Sequence, residues 1–255
     1  MNTREPAPLW GRNPVLELLR AEGRRVEEIA ILAEGRGPAL QELLTLARSQ
    51  NVKVSYRTRD QLTAMAGTPH HQGVVARVAE ATYATLGELL AVPAARREPA
   101  FFLVLDRVQD PRNLGAVLRT AEATGVHGLI LPRHQAVGLT AAVAKAAMGA
   151  VEHLAVARET NIVQVLETLK RESLWVMGAA EQGGKAPWSV DLAGPLCLVL
   201  GGEGEGLRPL VARSCHELLT LPMKGKIGSL NVSAAAAALC YEVLRQRSLG
   251  SGKSA

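Results

Sequence analysis

The sequence predicts an α/β protein: an open parallel sheet with helices on both faces over residues 99–248, preceded by a small α/β domain over residues 1–78. Three observations carry that prediction. Phe101–Leu105 reads FFLVL, apolar at every position rather than at alternate ones, as a strand covered on both faces requires. After it, short apolar runs and helical stretches take turns along the chain, which is the pattern of β-α-β units. Between the two regions, residues 79–98 (AEATYATLGELLAVPAARRE) turn Ala-rich, with Pro93 and the charged Arg96-Arg97-Glu98, and read as a linker.

In the first region Asn13-Pro14 reads as an N-cap followed by a proline in the first turn, opening a helix through Leu19. Val26–Leu32 and Val52–Tyr56 read as strands around a helix at Pro38–Ser49. Thr58 with Gln61 has the spacing of a capping box for one more short helix, and Gly73–Val78 (GVVARV) is strand-like. In the second region Asn113–Thr124 is helical, with Gly125 where a terminating glycine belongs. Leu129–Leu131, Leu174–Met177, Leu196–Leu200 and Leu218–Leu221 follow as strands, and Thr140–Met148, Ile162–Arg171 and Val232–Arg247 as helices. Residues 249–255, ending GSGKSA, read as a disordered tail.

Composition narrows the function classes. The net charge of +5 is spread over both regions, which suits a polyanionic partner without pointing to one. Cys197, Cys215 and Cys240 stand far apart with no CxxC, so reduced thiols are expected, and neither a disulfide framework nor a metal site. No apolar stretch has the length of a signal or a membrane span, so a cytoplasmic protein without a membrane partner is expected.

Three segments each follow a predicted strand, where an open parallel sheet places its ligand crevice. Asp106–Arg119 (DRVQDPRNLGAVLR) brings a polar loop, Asn113 near a helix start and Arg119 further along that helix. Gly201–Leu207 (GGEGEGL) is a Gly-rich turn that lets a ligand reach the backbone, and it fits neither the P-loop nor the dinucleotide pattern. Leu221–Ala238 (LPMKGKIGSLNVSAAAAA) runs through Ser229 and Asn231 into an Ala-rich helix. Taken singly, each has a plain structural reading: an N-cap, a surface arginine, a flexible turn.

Together and in this order, these segments resemble the three motifs of the SpoU (TrmH-like) family of RNA 2'-O-ribose methyltransferases, and MGAVE at 148–152 resembles the family's GAxE segment. The resemblance extends upstream, where GRNPVLELLR and HHQGVVARV are similar to the substrate-binding domain of the ribosomal-RNA branch, of the ribosomal protein L30e type. It is strongest to the bacterial enzymes that methylate a guanosine of 23S rRNA. It implies an α/β knot, an open parallel sheet with its C-terminal segment threaded into a trefoil, and S-adenosyl-L-methionine as the methyl donor. It implies cofactor contacts at Gly201, Leu221 and Leu230. Catalytic roles fall on Asn113, Arg119, Glu203, Ser229 and Asn231, with Arg119 as base or electrostatic stabiliser and Asn113 and Glu203 orienting it. Glu205 is expected as an exposed loop carboxylate, and His127 and His153 as structural. RNA contacts are expected at Arg12, Asn13, His70, His71 and Gln72. The implied partners are 23S rRNA and a second copy of the chain, not DNA. A tRNA-directed enzyme and a non-catalytic rRNA-binding assembly protein are the alternatives.

Overall fold

The computed structural model describes residues 7–20, 26–79, 82–226 and 228–251, and the chain divides into two compact units. The first comprises residues 1–82 together with 139–153, and the second residues 83–138 and 154–255.

The first unit is built on a four-stranded sheet. β1 (Ala7–Trp10) leads through α1 (Arg12–Arg20) to β2 (Val26–Leu32), α2 (Pro38–Ser49), β3 (Lys53–Arg57), α3 (Arg59–Ala66) and β4 (Val74–Val78). The strand order is β1-β4-β2-β3; β4 pairs antiparallel with both neighbours, and β2 pairs parallel with β3. β1 has no predicted counterpart. Its Pro8 removes a ladder donor, which an edge strand tolerates, and Leu9 is buried. α1 starts at Arg12, so Asn13-Pro14 lies inside its first turn rather than capping it. The capping box forms as read: Thr58 N–H donates to Gln61 Oε1 at 3.0 Å, and Gln61 N–H donates to Thr58 Oγ1 at 3.3 Å.

Residues 79–98 are no linker throughout. Thr85 and Glu88 form a second capping box, and α4 runs from Leu86 to Arg96 with Pro93 inside it. Leu89 and Pro93, one turn apart, are both buried, and Leu89 joins a hydrophobic core cluster of the second unit. Burial of that face outweighs the hydrogen bond a mid-helix proline removes.

From α4 the chain enters β5 (Phe101–Asp106), α5 (Pro111–Ala123) and β6 (Gly128–Pro132). It then leaves the second unit: α6 (Ala141–Ala146) and the turn at Ala150–Glu152 pack in the first. There Lys145 lies over the Trp10 ring at 5.1 Å, and a Cβ at Gly149 would run into Glu17. α6 stops short of the expected Met148 because Met148 and Gly149 both take positive φ. The second unit resumes with β7 (Ala155–Glu159), α7 (Ile162–Arg171), β8 (Trp175–Ala179), β9 (Leu196–Gly201), α8 (Pro209–Arg213), β10 (Glu217–Leu219) and α9 (Val232–Ser251). β7 is an edge strand with too little apolar pattern to stand out in the sequence. α9 carries the expected tail to residue 251 as helix, and residues 252–255 lie outside the described residues.

The second sheet has the order β10-β8-β9-β5-β6-β7, and every pairing is parallel. All six β5 residues are buried. α5 and α9 pack on one another, with Val117, Leu118 and Ala121 of α5 and Ala236, Leu239, Cys240 and Val243 of α9 buried. Burial pushes the Cys240 thiol up to about 12 and the Cys215 thiol up to about 11, so both stay protonated and inert. β5 and β9 are neighbours, but the chain leaves β5 towards β6 and leaves β9 towards β10. Their carboxyl ends therefore form a switch point, where an open α/β sheet opens a crevice.

Candidate active site

The three singled-out segments converge at that switch point. α5 begins one residue beyond the Asp110 cap, whose side chain accepts from Arg112 N–H at 2.7 Å, so Asn113 is free of the capping role. It is partnered across the chain instead. Asn113 Nδ2 donates to Glu203 Oε1, and Asn231 Nδ2 donates to Asn113 Oδ1 at 3.0 Å. Asn231 caps α9: its Oδ1 accepts from Ser233 N–H at 2.9 Å and from Ser233 Oγ at 2.6 Å. The polarity of this relay is forced. A backbone N–H only donates, so Asn231 must turn its oxygen to Ser233 and its amide N–H to Asn113. Asn113 must then turn its own amide N–H outward, and a carboxylate is the acceptor waiting there. One relay thus joins β5–α5, β9 and α9, across sequence separations of 90 and 118 residues.

A cleft of about 330 Å³ lies beside the relay. Gly201, Leu221 and Leu230 line it, and so do Glu203, Ser229 and Asn231. Leu200, Leu219, Val232 and Leu239 give it apolar walls, and the 201–206 loop presents backbone. A Cβ on Gly201 would run into the Gly206 carbonyl, so the loop's fold on itself requires glycine there. Glu181 and Glu203 add carboxylates at the walls. The volume and the few polar groups on apolar walls fit a small organic ligand with a flat apolar part.

Arg119 stands apart. It is exposed on α5, and among the described residues its guanidinium has no hydrogen bond or ion pair. The expected orientation of Arg119 by Asn113 and Glu203 is not formed here: the Asn113 amide and Glu203 Oε1 meet each other in the relay instead. Glu205 is exposed, as expected, and paired with Arg107 at 2.5 Å.

The SpoU rRNA Methylase family matches residues 100–241, more than half of the chain, and the family of RNA 2'-O ribose methyltransferase substrate-binding domains matches residues 8–84. The chain belongs to the SpoU rRNA methylase family. A TrmH family tRNA/rRNA methyltransferase of Bacillus subtilis (strain 168), YacO, is 42% identical over 237 residues, covering 93% of this chain and 94% of its own. The 23S rRNA (guanosine-2'-O-)-methyltransferase RlmB of Ralstonia nicotianae is 39% identical over 242 residues, covering 94% and 96%. Among solved structures, the SpoU methyltransferase AviRb of Streptomyces viridochromogenes superposes with a TM-score of 0.81 at 26% identity, covering 96% of this chain and 91% of its own. Its complex with AdoMet superposes at 0.80 and 24% identity, covering 94% and 89%, which shows the shared fold.

In this SpoU chain the candidate RNA residues of the first unit behave differently from the relay. Arg12 N–H and Nε–H donate to Gln72 Oε1 and to its carbonyl, both at 3.2 Å, so Arg12 and the 70–72 loop do lie together, with Asn13 and His70 exposed. His71 is 2% exposed, yet it lines an open hollow together with Arg12, Arg59 and Gln72. Its Nδ1 accepts from Gly73 N–H at 3.0 Å, leaving Nε2 to meet Thr63 Oγ1 at 3.3 Å. Burial, with Arg59 nearby, lowers its pKa and keeps it neutral. His127 is structural, as expected, between Phe101 N–H and Glu98. The sequence reading missed Ala179, Ala180, Glu181 and Met223, which complete the cleft. The signal for the first three was available: they sit at and just past the carboxyl end of a predicted strand.

Proposed function

We propose that this chain transfers a methyl group from S-adenosyl-L-methionine to the ribose 2'-hydroxyl of a guanosine in 23S rRNA. The observation that carries the reading is the relay from Ser233 through Asn231 and Asn113 to Glu203, which joins the three motif segments at the edge of one cleft. RlmB relatives that match almost end to end support the substrate. The cleft fits the cofactor: apolar walls and exposed glycine backbone suit an adenine, and Glu181 and Glu203 suit a cationic sulfonium. When bound, S-adenosylmethionine supplies a methyl electrophile and leaves as a neutral thioether.

The chain's own task is positioning. Displacement at a methyl carbon is in-line, so much of the acceleration comes from holding the two reacting atoms in register. Asn113 and Asn231 hold the Glu203 side chain in one rotamer, and Ser229 and Asn231 line the mouth where a ribose enters. Gly201, Leu221 and Leu230 hold the cofactor. Arg119, without a partner among the described residues, stabilises the forming alkoxide or grips the neighbouring phosphate, with the role of base as the alternative that Arg119→Lys separates.

The same reading includes a threaded trefoil, a twofold dimer, an L30e-type first domain and work in the cytoplasm where ribosomes assemble. The return of the chain from edge strand β10 past the cleft to α9, packed on α5, supports the threading. The exposed face of α9 at Ala234, Ala238 and Tyr241 supports the dimer, since its apolar face at Leu239 and Val243 is filled from within. A strictly monomeric active enzyme in light scattering counts against that dimer. The deciding experiment maps 2'-O-methyl groups in 23S rRNA with and without the gene. One guanosine should lose its methyl group and regain it when the purified protein and S-adenosylmethionine are added. Loss only at a tRNA site, or at none, rejects the assignment.

A further inference from the structure

Asp106 ends β5 completely buried, and the relay does not use it. Among the described residues, its two carboxylate oxygens take their hydrogen bonds from one residue at the far end of the Gly-rich loop. Arg208 N–H reaches Oδ2 at 3.1 Å, Nε–H reaches Oδ1 at 2.9 Å and Oδ2 at 3.1 Å, and Nη2 lies 2.7 Å from Oδ1. The next residue, Arg107, holds the loop at two more points. Its guanidinium pairs with Glu205 at the loop's tip at 2.5 Å, and its carbonyl occupies the space where a Cβ on Gly202 would sit. To do both, Arg107 takes φ of +66°, a left-handed conformation that a non-glycine residue keeps only where the surroundings impose it. The loop itself closes by Gly206 N–H to the Gly202 carbonyl at 3.2 Å, which leaves Glu203 on a turn pinned at its tip and its end.

We propose that Asp106, through its clamp on Arg208 and with Arg107 beside it, is a positioning residue for this methyl transfer: it sets the Gly201–Arg208 loop that forms the cofactor wall and carries Glu203. The inference rests on the reading of that cleft as the S-adenosylmethionine site. A carboxylate is needed because Arg208 presents only donors; an amide would offer one oxygen and turn its own N–H groups against the guanidinium. The clamp also has its anchor in a strand buried on both faces, so the loop inherits the rigidity of the sheet.

The test uses the full chain and compares Asp106→Asn, Arg208→Gln and the double variant. S-adenosylmethionine affinity is measured by calorimetry, single-turnover rate on 23S rRNA at saturating cofactor, and the folded fraction of each sample by near-UV circular dichroism. Asp106→Asn should weaken cofactor binding about tenfold or more and also slow the saturated rate, because wall and Glu203 shift together. Arg208→Gln should act in the same direction. The double variant should be no worse than the poorer single one, since the pair acts as one unit. Arg208→Lys, which keeps charge but not the fork, should recover only part of the loss. Wild-type affinity and rate in Asp106→Asn overturn the inference, as does a loss fully accounted for by unfolded protein. If the wild-type chain binds no S-adenosylmethionine, it is the reading of the cleft that fails.

Discussion

The two units satisfy their polar motif residues in different ways. In the second, Asn113, Glu203 and Asn231 find one another across 90 and 118 residues of sequence, and none of the three needs the others to fold its own helix or turn. In the first, His71 spends its ring on Gly73 two residues away and on Thr63 eight residues away, while Gln72 meets Arg12 across 60 residues. A polar residue whose partner is another motif is held for what it presents. One whose partner is its own loop backbone is held for the loop. Substitutions should therefore act on rate in the second unit and on loop shape or RNA affinity in the first.

Arg119 should break the pattern most sharply, because it belongs to neither kind: it has a motif position and no partner among the described residues. Arg119→Ala should lower the single-turnover rate about 10²–10³-fold, the usual cost of removing a preorganised charge at a transition state. Cofactor affinity should be unchanged, since Arg119 is not among the cleft residues. Arg119→Lys separates the roles. A guanidinium acting through its fork is not replaced by Lys at any pH, whereas a base is, with activity rising with pH as the Lys titrates. Undiminished turnover in Arg119→Ala would return Arg119 to an ordinary surface position.

Asn113 comes next. Asn113→Ala removes one hydrogen bond to a carboxylate and one between amides, and should slow turnover by about tenfold, which corresponds to about 1.4 kcal/mol. Asn113→Asp sharpens the point. It still accepts from Asn231 but turns a second carboxylate towards Glu203, so it should be worse than Ala. Equal activity in Asp and wild type would show that the relay's polarity is irrelevant.

How much of this was legible follows from what each residue depends on. FFLVL announced a doubly covered strand because burial on two faces leaves no other composition. The Thr58–Gln61 capping box and the strand–loop–helix order were local and readable. The linker was misread because Ala, Pro and Arg in residues 79–98 describe a loop, while the burial of Leu89 and Pro93 depends on a sheet formed elsewhere. The same holds for α6, which lies between two strands of the second unit yet packs in the first. At the site, Gly201, Glu203, Leu221, Ser229, Leu230 and Asn231, singled out by motif, line one cleft. The Asp106–Arg208 clamp, across 102 residues with neither partner in a singled-out role, was out of reach.

In the first unit the expected effects are smaller. Arg12, Arg59, His71 and Gln72 line an open hollow with no carboxylate among its lining residues, and Arg12 is the cation we propose to meet an RNA phosphate there. Arg12→Ala should weaken rRNA binding and lower the slope of log affinity against log salt by roughly 0.7, one single-stranded phosphate contact. Cofactor affinity should not move. An unchanged slope in filter binding across several salt concentrations would leave Arg12 as a brace for Gln72 alone.

The smallest effect, and the one that most directly tests the local character of the first unit, is the response of His71 to acid. Its Nδ1 accepts from Gly73 N–H, so a proton there would set two donors against each other, and burial with Arg59 nearby already lowers its pKa. The unfolded chain carries an ordinary histidine and binds a proton that the folded loop refuses. Stability from this group is therefore complete above the unfolded pKa of about 6.5 and declines as pH falls below it. His127 is lowered too, chiefly by burial, and should add to the same decline. His71→Asn isolates the first contribution, because Asn Oδ1 can take the place of Nδ1 as acceptor and does not titrate. The variant should be less stable than wild type at pH 7.5, having lost the Thr63 contact, but should lose less further stability between pH 6.5 and 5. Urea midpoints of the two proteins across that range decide it. If both fall in parallel, the acid response belongs to His127 or elsewhere, and His71 is only a filler of its loop.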